Sequence, residues 1–301
     1  MKTMLITGMT GLVGSHVKEL AEREGWTVRG LSRDPAGRPG LYRWNPKQGE
    51  LDVTALQGVE AVVHLAGAGI AEGSWTAERK QVILDSRVQG TQLLCEALAA
   101  MEEKPRVLVC ASGSSAYPYG PRLWDESGPF GQSFLSQVVR AWEQSADAAR
   151  LAGIRVVHGR FGVVLSTQDG ALAKMLPFFK KGLGGPVGNG RQQLSWITPD
   201  DLAAAILHCI RNDQLEGAVN MAAPEPVSNG TFAQALGHAV GRPTVVPIPS
   251  FAIKLRYGQM GEETILADNR ILPAKLRSSG FNWQYPEIEG ALKHALEQHE
   301  R

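Results

Sequence analysis

Eleven residues decide the fold of this chain: Met4-Leu-Ile-Thr-Gly8-Met-Thr-Gly11-Leu-Val-Gly14. An apolar strand pattern over residues 3–7 runs into a glycine turn, and a helical pattern follows over residues 12–23. Glycine has no Cβ, so a phosphate can approach such a turn closely, and the helix offers free N–H groups and the positive end of its dipole. In this strand–turn–helix context the glycines predict a bound dinucleotide.

Strand and helix patterns alternate through the rest of the chain. The predicted strands are residues 26–32, 41–44, 61–66, 106–111, 154–158 and 218–221, and the predicted helices are residues 76–100, 134–151, 171–181, 201–211, 231–240 and 286–299. In the first half the order is β-α-β-α, which predicts an α/β fold with a doubly wound parallel sheet, a Rossmann fold. Ligands of such sheets bind at the carboxyl ends of the strands.

Composition excludes several classes of function. The formal net charge of +1 provides no overall basic surface for nucleic acid or an anionic membrane, and no stretch approaches the ~20 apolar residues of a membrane span. The cysteines (Cys95, Cys110 and Cys209) lie apart in apolar stretches, which indicates buried thiols in a reducing cytoplasm. His294 and His299 are five residues apart and do not share a helix face, so we expect no metal site.

The end of the second predicted strand distinguishes NAD from NADP. An NAD-binding unit carries Asp or Glu there, which accepts a hydrogen bond from the ribose 2′-hydroxyl. This chain has Gly30-Leu-Ser32-Arg33 instead. An arginine attracts a 2′-phosphate and a serine can hydrogen-bond it, so the sequence favours NADP over NAD. Two alternatives stay open: Arg33 as a solvated loop charge, and Asp34 as the acidic residue of an NAD site.

These motifs resemble those of the extended short-chain dehydrogenase/reductase superfamily. Thr7-Gly8-x-x-Gly11-x-x-Gly14 is similar to its nucleotide signature, His64-Leu-Ala-Gly67 to its adenine-side loop, and Gly90-Thr91-x-x-Leu94 to a pattern on its long helix. More narrowly, the chain resembles the atypical NAD(P)-dependent epimerase/dehydratase-like branch. The stretches that carry this narrower resemblance are residues 182–197, 220–226 and 272–281.

The resemblance implies a cofactor site and a division of the chain. The implied NADP-binding residues are Gly8, Thr10, Gly11, Leu12, Val13, Gly14, Ser32, Arg33, Ala66, Gly67, Arg87, Gly162 and Val163. For Arg87 the alternative is an ion pair with Asp85 or Glu96. We expect residues 1–165 to form the Rossmann core, with residues 191–222 returning to it. Residues 166–190 and 223–301 are expected to form a smaller C-terminal lobe over a substrate cleft.

The chemistry departs from the superfamily pattern. Most members use Tyr-x-x-x-Lys for proton transfer, and this sequence has none; an alignment on Glu143 places Leu135 and Val139 at the two positions. The superfamily also places an active-site serine or threonine at the end of the strand that corresponds to residues 106–111. The candidates there are Ser112, Ser114 and Ser115, with Tyr117 or Tyr119 as a phenol from the same loop. The alternative is that these serines satisfy backbone groups in a tight loop.

Two substrate-binding residues are expected beyond the core. Arg191, in Gly188-Asn-Gly-Arg191, occupies a place where related enzymes bind the diphosphate of a sugar nucleotide, although a solvated loop arginine is the alternative. Trp196 begins a segment that resembles the superfamily's aromatic-Ile-His-x-Asp-Asp. In that segment we expect Thr198 or Asp200 to cap the next helix. Trp142 is expected in the core and Glu143 on a helix surface.

The sequence therefore supports two functions from different classes. The first is an NADP(H)-dependent oxidoreductase or epimerase that acts on a small polar substrate such as a nucleotide sugar. The second, favoured by the missing tyrosine–lysine pair, is a non-catalytic NADP(H)-binding sensor. Homodimerisation through the long helices is compatible with both.

Overall fold

An eight-stranded sheet forms the centre of the structure, a computed structural model that describes residues 2–298. The strands are β1 (Thr3–Thr7), β2 (Thr27–Ser32), β3 (Leu41–Asn45), β4 (Glu50–Leu51), β5 (Ala61–His64), β6 (Val107–Gly113), β7 (Arg155–Phe161), β8 (Val163–Val164), β9 (Gln193–Leu194), β10 (Trp196–Ile197), β11 (Gly217–Met221) and β12 (Val227–Ser228). The helices are α1 (Leu12–Arg23), α2 (Ala77–Ala99), α3 (Phe134–Gln144), α4 (Asp147–Leu151), α5 (Gly170–Lys180), α6 (Pro199–Arg211), α7 (Asn229–Ala239), α8 (Ser250–Glu263), α9 (Ala274–Ser278) and α10 (Ile288–Glu297).

The strand order confirms the predicted fold class. The sheet runs β11-β7-β6-β5-β1-β2-β3-β4, and every pairing in it is parallel except that of β3 with the short β4. The chain leaves β1 in one direction to form β2 and β3 and then returns to the other side of β1 as β5. The carboxyl ends of β1, β2 and β5 therefore meet at the point where the strand order reverses, which is where doubly wound sheets bind ligands.

Apolar clusters cover both faces of the sheet and continue beyond it. The first cluster packs α1 and α6 on one face, and the second packs α2 and α4 on the other. A third cluster joins α5, α7 and α10 with Leu165 and Trp196. Because helices cover both faces of the sheet, the central strands are continuous apolar runs and do not alternate between apolar and polar residues.

Some element boundaries differ from the prediction for local reasons. The helix predicted over residues 134–151 ends at Gln144, because the Ser145 hydroxyl bonds the Trp142 carbonyl (2.6 Å) and competes with the helical ladder. The helix α8 was not predicted, since prolines precede it and Gly258 kinks it at a φ of 54°. The last helix ends at Glu297, and the predicted end at His299 lies outside the described residues.

Residues 2–298 lack two kinds of feature. The helices in this range include none with the length and apolar content needed to cross a bilayer. The same range contains no group of three or more His, Cys, Asp or Glu side chains arranged to hold a metal ion.

Candidate functional site

The glycine turn between β1 and α1 has the geometry of a phosphate cradle. Gly8 has a φ of 68°, which favours glycine, and its carbonyl accepts the Gly11 N–H at 3.0 Å. A Cβ on Gly14 would lie only 2.2 Å from the Gly8 carbonyl oxygen, so the helix can approach the turn only without a side chain there. No side chain caps α1 at Gly11, and its first turn holds no acidic residue. The helix N-terminus is therefore open to an anion.

Three arginine residues, Arg33, Arg38 and Arg43, lie at the end of β2 or contact the backbone that follows it. Arg33 is exposed, the Arg43 guanidinium donates to the Arg33 carbonyl (2.6 Å), and Arg38 donates to the carbonyl of Asp34. The Ser32 hydroxyl accepts the Asp34 N–H at 3.1 Å and so closes the turn. Of the three arginines, only Arg33 was predicted from the sequence. Arg43 reaches the end of β2 because it pairs with Ser32 across neighbouring strands, and Arg38 lies in the loop between these strands. Arg43 is paired with Glu50 at 3.0 Å, so the excess positive charge comes from Arg33 and Arg38. This excess suits a phosphate better than a ribose hydroxyl.

The loop after β5 lies against the glycine turn and is held by α2. A Cβ on Gly8 would be 3.2 Å from the Ala66 nitrogen, so the two backbones are in close contact. Arg87 is buried beside Gly67 and donates to the Ala68 carbonyl at 3.0 Å. Burial, with the nearby charge of Arg79, lowers the pKa of Arg87 to about 10. The alternative of an ion pair from Arg87 to Asp85 or Glu96 is wrong, because the guanidinium points inward to backbone carbonyls.

A buried histidine connects the turn, the loop and the long helix. The Thr7 hydroxyl donates to His64 Nδ1 (2.7 Å), because its own lone pairs accept the N–H groups of Leu65 and Ala66. The Thr91 hydroxyl donates to a helix carbonyl, so His64 Nε2–H must donate to Thr91 at 3.0 Å. This pattern requires neutral His64 with the proton on Nε2. Burial lowers the pKa of His64 to about 4.

We expect the His64 network to make stability fall in acid. The unfolded chain takes up a proton near pH 6.5 and the folded chain only near pH 4, so unfolding is favoured as the pH falls between these values. The loss amounts to about 3 kcal/mol. Urea unfolding at a series of pH values should show a shallower slope in His64→Asn, whose amide cannot titrate. Identical slopes in the two proteins would contradict the assigned protonation state.

Of the three candidate active-site serines at the end of β6 and in the serine loop after it, one is buried and two are accessible. Ser112 is buried and its hydroxyl donates to Glu143 at 2.7 Å, so it is not available to a substrate. Ser114 and Ser115 are partly exposed in the short helix that follows β6. A Cβ on Gly113 would lie 3.3 Å from Ser115 Oγ and 3.5 Å from Val139, so Ser115 lies near Val139 of α3. Val139 is the residue that the alignment on Glu143 predicts for the lysine position of the superfamily.

The phenols of this loop are engaged elsewhere. Tyr117 is buried and donates to Asn220 at 2.8 Å, and Tyr119 donates to the Glu263 carbonyl at 3.0 Å. Burial raises the pKa of each tyrosine to about 12. The expectation that Tyr117 supplies an acid or base does not fit this geometry, because a phenol of that pKa is a poor base at neutral pH.

Glu143 is not on a helix surface, and that prediction was wrong. Its side chain is about one-tenth exposed and accepts two hydrogen bonds from Arg160, each 2.8 Å long, besides the one from Ser112. Burial alone would lower the pKa of Arg160, but the hydrogen bonds and the charge of Glu143 outweigh it and raise that pKa above its usual range. The Arg160 guanidinium also lies over the Tyr117 ring. This ion pair braces the carboxyl ends of β6 and β7 against α3.

Arg191 lines a cavity of about 630 Å³. The cavity is lined by Gly188, Asn189, Arg191, Gln192, Ser250, Lys254, Leu266, Asp268 and Arg270. Arg191 is exposed, and its N–H donates to Asn189 Oδ1 at 3.0 Å. The Gly120 N–H donates to the Asp268 carbonyl at 2.9 Å, which connects the cavity wall to the serine loop.

Trp196 and Thr198 are structural. Trp196 is only 1% exposed and packs in the third apolar cluster, so its predicted contact with substrate does not fit the structure. The neighbouring residues Ser195, Ile197 and Thr198 are buried as well, so this short strand has no exposed face. The Thr198 hydroxyl accepts the Asp201 N–H at 3.1 Å and caps α6, which confirms one of the two predicted caps. Trp142 is in the core, as predicted.

Gly162 and Val163 lie at the same sheet edge as the glycine turn, after β7. A Cβ on Gly162 would be 2.9 Å from the Ser195 carbonyl, and the Val163 N–H donates to that carbonyl at 2.8 Å. The glycine turn, the end of β2, the loop after β5 and the serine loop therefore all lie at the carboxyl ends of the strands. This arrangement is that of a dinucleotide-binding Rossmann protein of the short-chain dehydrogenase/reductase kind.

Comparison with known proteins agrees with this class. The NAD dependent epimerase/dehydratase family matches residues 4–222, and a domain of unknown function (DUF1731) matches residues 248–295. The chain belongs to the NAD dependent epimerase/dehydratase family. It is 38% identical to an epimerase family protein of Mycobacterium tuberculosis, over 96% of each chain.

Solved structures have the same fold. The crystal structure of human epimerase family protein SDR39U1 with NADPH has a TM-score of 0.89 and 32% identity, and the match covers 98% of this chain and 99% of that one. Thermus thermophilus UDP-glucose 4-epimerase in complex with NAD has a TM-score of 0.79 at 21% identity, with 99% of each chain covered, which is a likeness of fold alone.

Proposed function

We propose that this protein binds NADP(H) and catalyses an oxidoreductase or epimerase reaction on a small polar substrate that carries phosphate, such as a nucleotide sugar. The observation that carries the proposal is the group of arginines at the end of β2 beside an open glycine cradle. The NADPH in the crystal structure of the human relative supports it. Because Asp34 Oδ1 faces the Ala36 N–H in its own loop, it is poorly placed to accept a ribose hydroxyl.

The cofactor would lie along the carboxyl edge of the sheet. The glycine turn, with Thr10, Leu12 and Val13 in and after it, would hold the diphosphate, and Ser32 and Arg33 the 2′-phosphate. Ala66, Gly67 and Arg87 would line the adenosine side, and Gly162 and Val163 the nicotinamide side. We also propose that residues 1–165 and 191–222 form the cofactor-binding core, and residues 166–190 and 223–301 the substrate lobe. The separate apolar cluster of α5, α7 and α10 supports this division.

The residues of the chain would mainly orient the substrate. A bound nicotinamide supplies the hydride chemistry. Arg191 would hold the substrate phosphate, because a guanidinium suits bidentate contacts. Ser115 would donate a hydrogen bond to the reacting oxygen, and we prefer it to Ser114 for its position beside Val139.

Proton transfer distinguishes this site from that of most relatives. Leu135 and Val139, which the alignment on Glu143 predicts for the tyrosine and lysine positions, are buried apolar side chains, and neither can carry a proton. Water would then exchange the proton with the reacting oxygen. The same observation favours the second candidate, an NADP(H)-binding sensor without turnover.

Cofactor binding is the first arm of the test. In Arg33→Ala we expect NADPH to bind about tenfold more weakly, because a partly exposed charge-assisted hydrogen bond is lost, while NADH binding stays unchanged. Arg150→Ala, an exposed arginine on α4, is the matched control. Fluorescence titration with each nucleotide measures the ratio. Equal losses for NADPH and NADH in Arg33→Ala would overturn the assignment of the 2′-phosphate site.

Turnover is the second arm. Nucleotide sugars and small carbonyl compounds are screened with NADPH and with NADP. Net hydride transfer is followed by absorbance, and epimerisation, which leaves the cofactor unchanged, is followed by NMR of the product. We expect turnover that falls in Ser115→Ala and in Arg191→Ala, with the larger rise in KM for Arg191→Ala. Ser127→Ala, in an exposed turn, serves as the control. Tight NADPH binding without turnover over the whole panel would establish the sensor instead.

A further inference from the structure

The charge of this protein is distributed unevenly along the chain. Residues 170–199 and 226–261 contain no Asp or Glu, although the whole chain has 30 of them. The same two segments carry the basic residues Lys174, Lys180, Lys181, Arg191, Arg242, Lys254 and Arg256. A net charge of +1 therefore averages a basic part and an acidic part. The average over the whole chain therefore does not exclude a local basic surface.

The two acid-free segments come together in the fold. The Ile248 N–H donates to the Pro186 carbonyl at 2.8 Å, and the Gly188 N–H donates to the Ile248 carbonyl at the same distance. The Arg242 guanidinium donates to the Lys180 carbonyl at 3.1 Å, which joins the end of α5 to the loop before α8. The positive charges of the two segments therefore belong to one region of the surface.

Large apolar side chains project from the same region. The exposed ones are Phe178, Leu183, Val245, Val246, Phe251 and Leu255. Val245 is 80% exposed, and Phe251 and Leu255, one helical turn apart on α8, are 71% and 87% exposed. We call these six residues, together with Lys180, Lys181, Arg242 and Arg256, the basic apolar face. Exposed apolar groups on this scale mark an interaction site rather than ordinary surface.

The backbone of the basic apolar face is also suited to a poorly hydrated environment. In residues 242–249, Pro243, Pro247 and Pro249 have no N–H group to desolvate. The N–H groups of Arg242 and Ile248 are already bonded to Gly237 and Pro186 carbonyls. Entry of this loop into a bilayer interface would therefore require lipid or water partners only for the N–H groups of Thr244, Val245 and Val246.

We propose that the basic apolar face docks this protein on the surface of an anionic lipid bilayer. Within residues 2–298, no ion pair occupies Lys180, Lys181, Arg242 or Arg256, so their charges are available to lipid phosphates. The exposed phenylalanine and leucine side chains can enter the boundary between headgroups and acyl chains. The lysine and arginine side chains can stay at the level of the lipid phosphates. The cavity at Arg191 borders this face, since Ser250 and Lys254 line it.

Vesicle sedimentation of the full chain tests the docking surface. The probe is a vesicle of phosphatidylcholine mixed with phosphatidylglycerol, compared with phosphatidylcholine alone, at low and at high salt. We expect binding to the anionic vesicle only, reduced by salt. Lys180→Glu/Lys181→Glu and Phe251→Ser/Leu255→Ser should each weaken it at least about tenfold. Leu151→Ser, whose side chain is 77% exposed on α4, should bind as the parent does.

Three results would overturn the proposal. The first is that the anionic vesicle does not bind the parent chain. The second is unchanged binding in Phe251→Ser/Leu255→Ser. The third is a concentration-dependent dimer in light scattering that this double variant abolishes, which would assign the face to a second copy of the chain. NADPH titration of each variant is a separate readout, so a failure of the docking surface and a failure of the cofactor assignment can be told apart.

Discussion

In Gly14→Ala we expect NADPH binding to fall by more than about tenfold and the free energy of unfolding to fall by about 1–3 kcal/mol. The added Cβ would lie 2.2 Å from the Gly8 oxygen and 2.8 Å from the Gly8 carbonyl carbon and the Met9 Cα. All three atoms are backbone, so no side-chain rotation relieves the overlap. Either α1 moves away from the turn or the turn opens, and both changes displace the N–H groups that face the proposed diphosphate. Chemical denaturation and nucleotide titration measure the two losses.

The matched control for this change is a glycine in open space. Gly290 lies in α10 with no atom within 4 Å of an added Cβ. Gly290→Ala should leave NADPH binding unchanged and stabilise the protein by up to about 1 kcal/mol, because alanine is the better helix former. Wild-type affinity for NADPH in Gly14→Ala would remove the glycine turn from the cofactor site.

Most of the fold could be predicted from local sequence. The helix after the glycine turn spans residues 12–23 as predicted, and the central strands lie where the apolar runs are. These signals are local, since a strand buried on both faces must be apolar along its length. The helix α8 could not be predicted, because Gly258 interrupts its period and three prolines precede it.

The candidate site was predictable only where its residues are adjacent in sequence. The turn from Gly8 to Gly14 is such a case. Arg43 reaches the end of β2 only through strand pairing, and Glu143 meets Arg160 only because α3 packs across the ends of β6 and β7. A glutamate in a helix is usually solvated, so its burial follows from the arginine that arrives with β7 rather than from its own segment.

The ion pair between Glu143 and Arg160 is expected to have a large effect on the stability of the fold. In Glu143→Ala we expect the free energy of unfolding to fall by about 3–5 kcal/mol, because Arg160 is left buried without its carboxylate. Arg160 lies among the rings of Tyr117 and Phe130, where its charge has little access to water. The Ser112 hydroxyl also loses its acceptor. Urea unfolding of parent and variant measures the difference.

A double variant separates the buried charge from the lost contacts. In Glu143→Leu/Arg160→Met both charges are removed and the apolar volume is largely kept, so most of the stability lost in Glu143→Ala should return. Glu19→Ala, which removes the carboxylate of an exposed pair with Arg23 on α1, should cost less than about 1 kcal/mol. If Glu143→Ala cost no more than Glu19→Ala, the Arg160 guanidinium would have to be hydrated in the folded protein. The ends of β6 and β7 would then not depend on this ion pair for their position beside the serine loop.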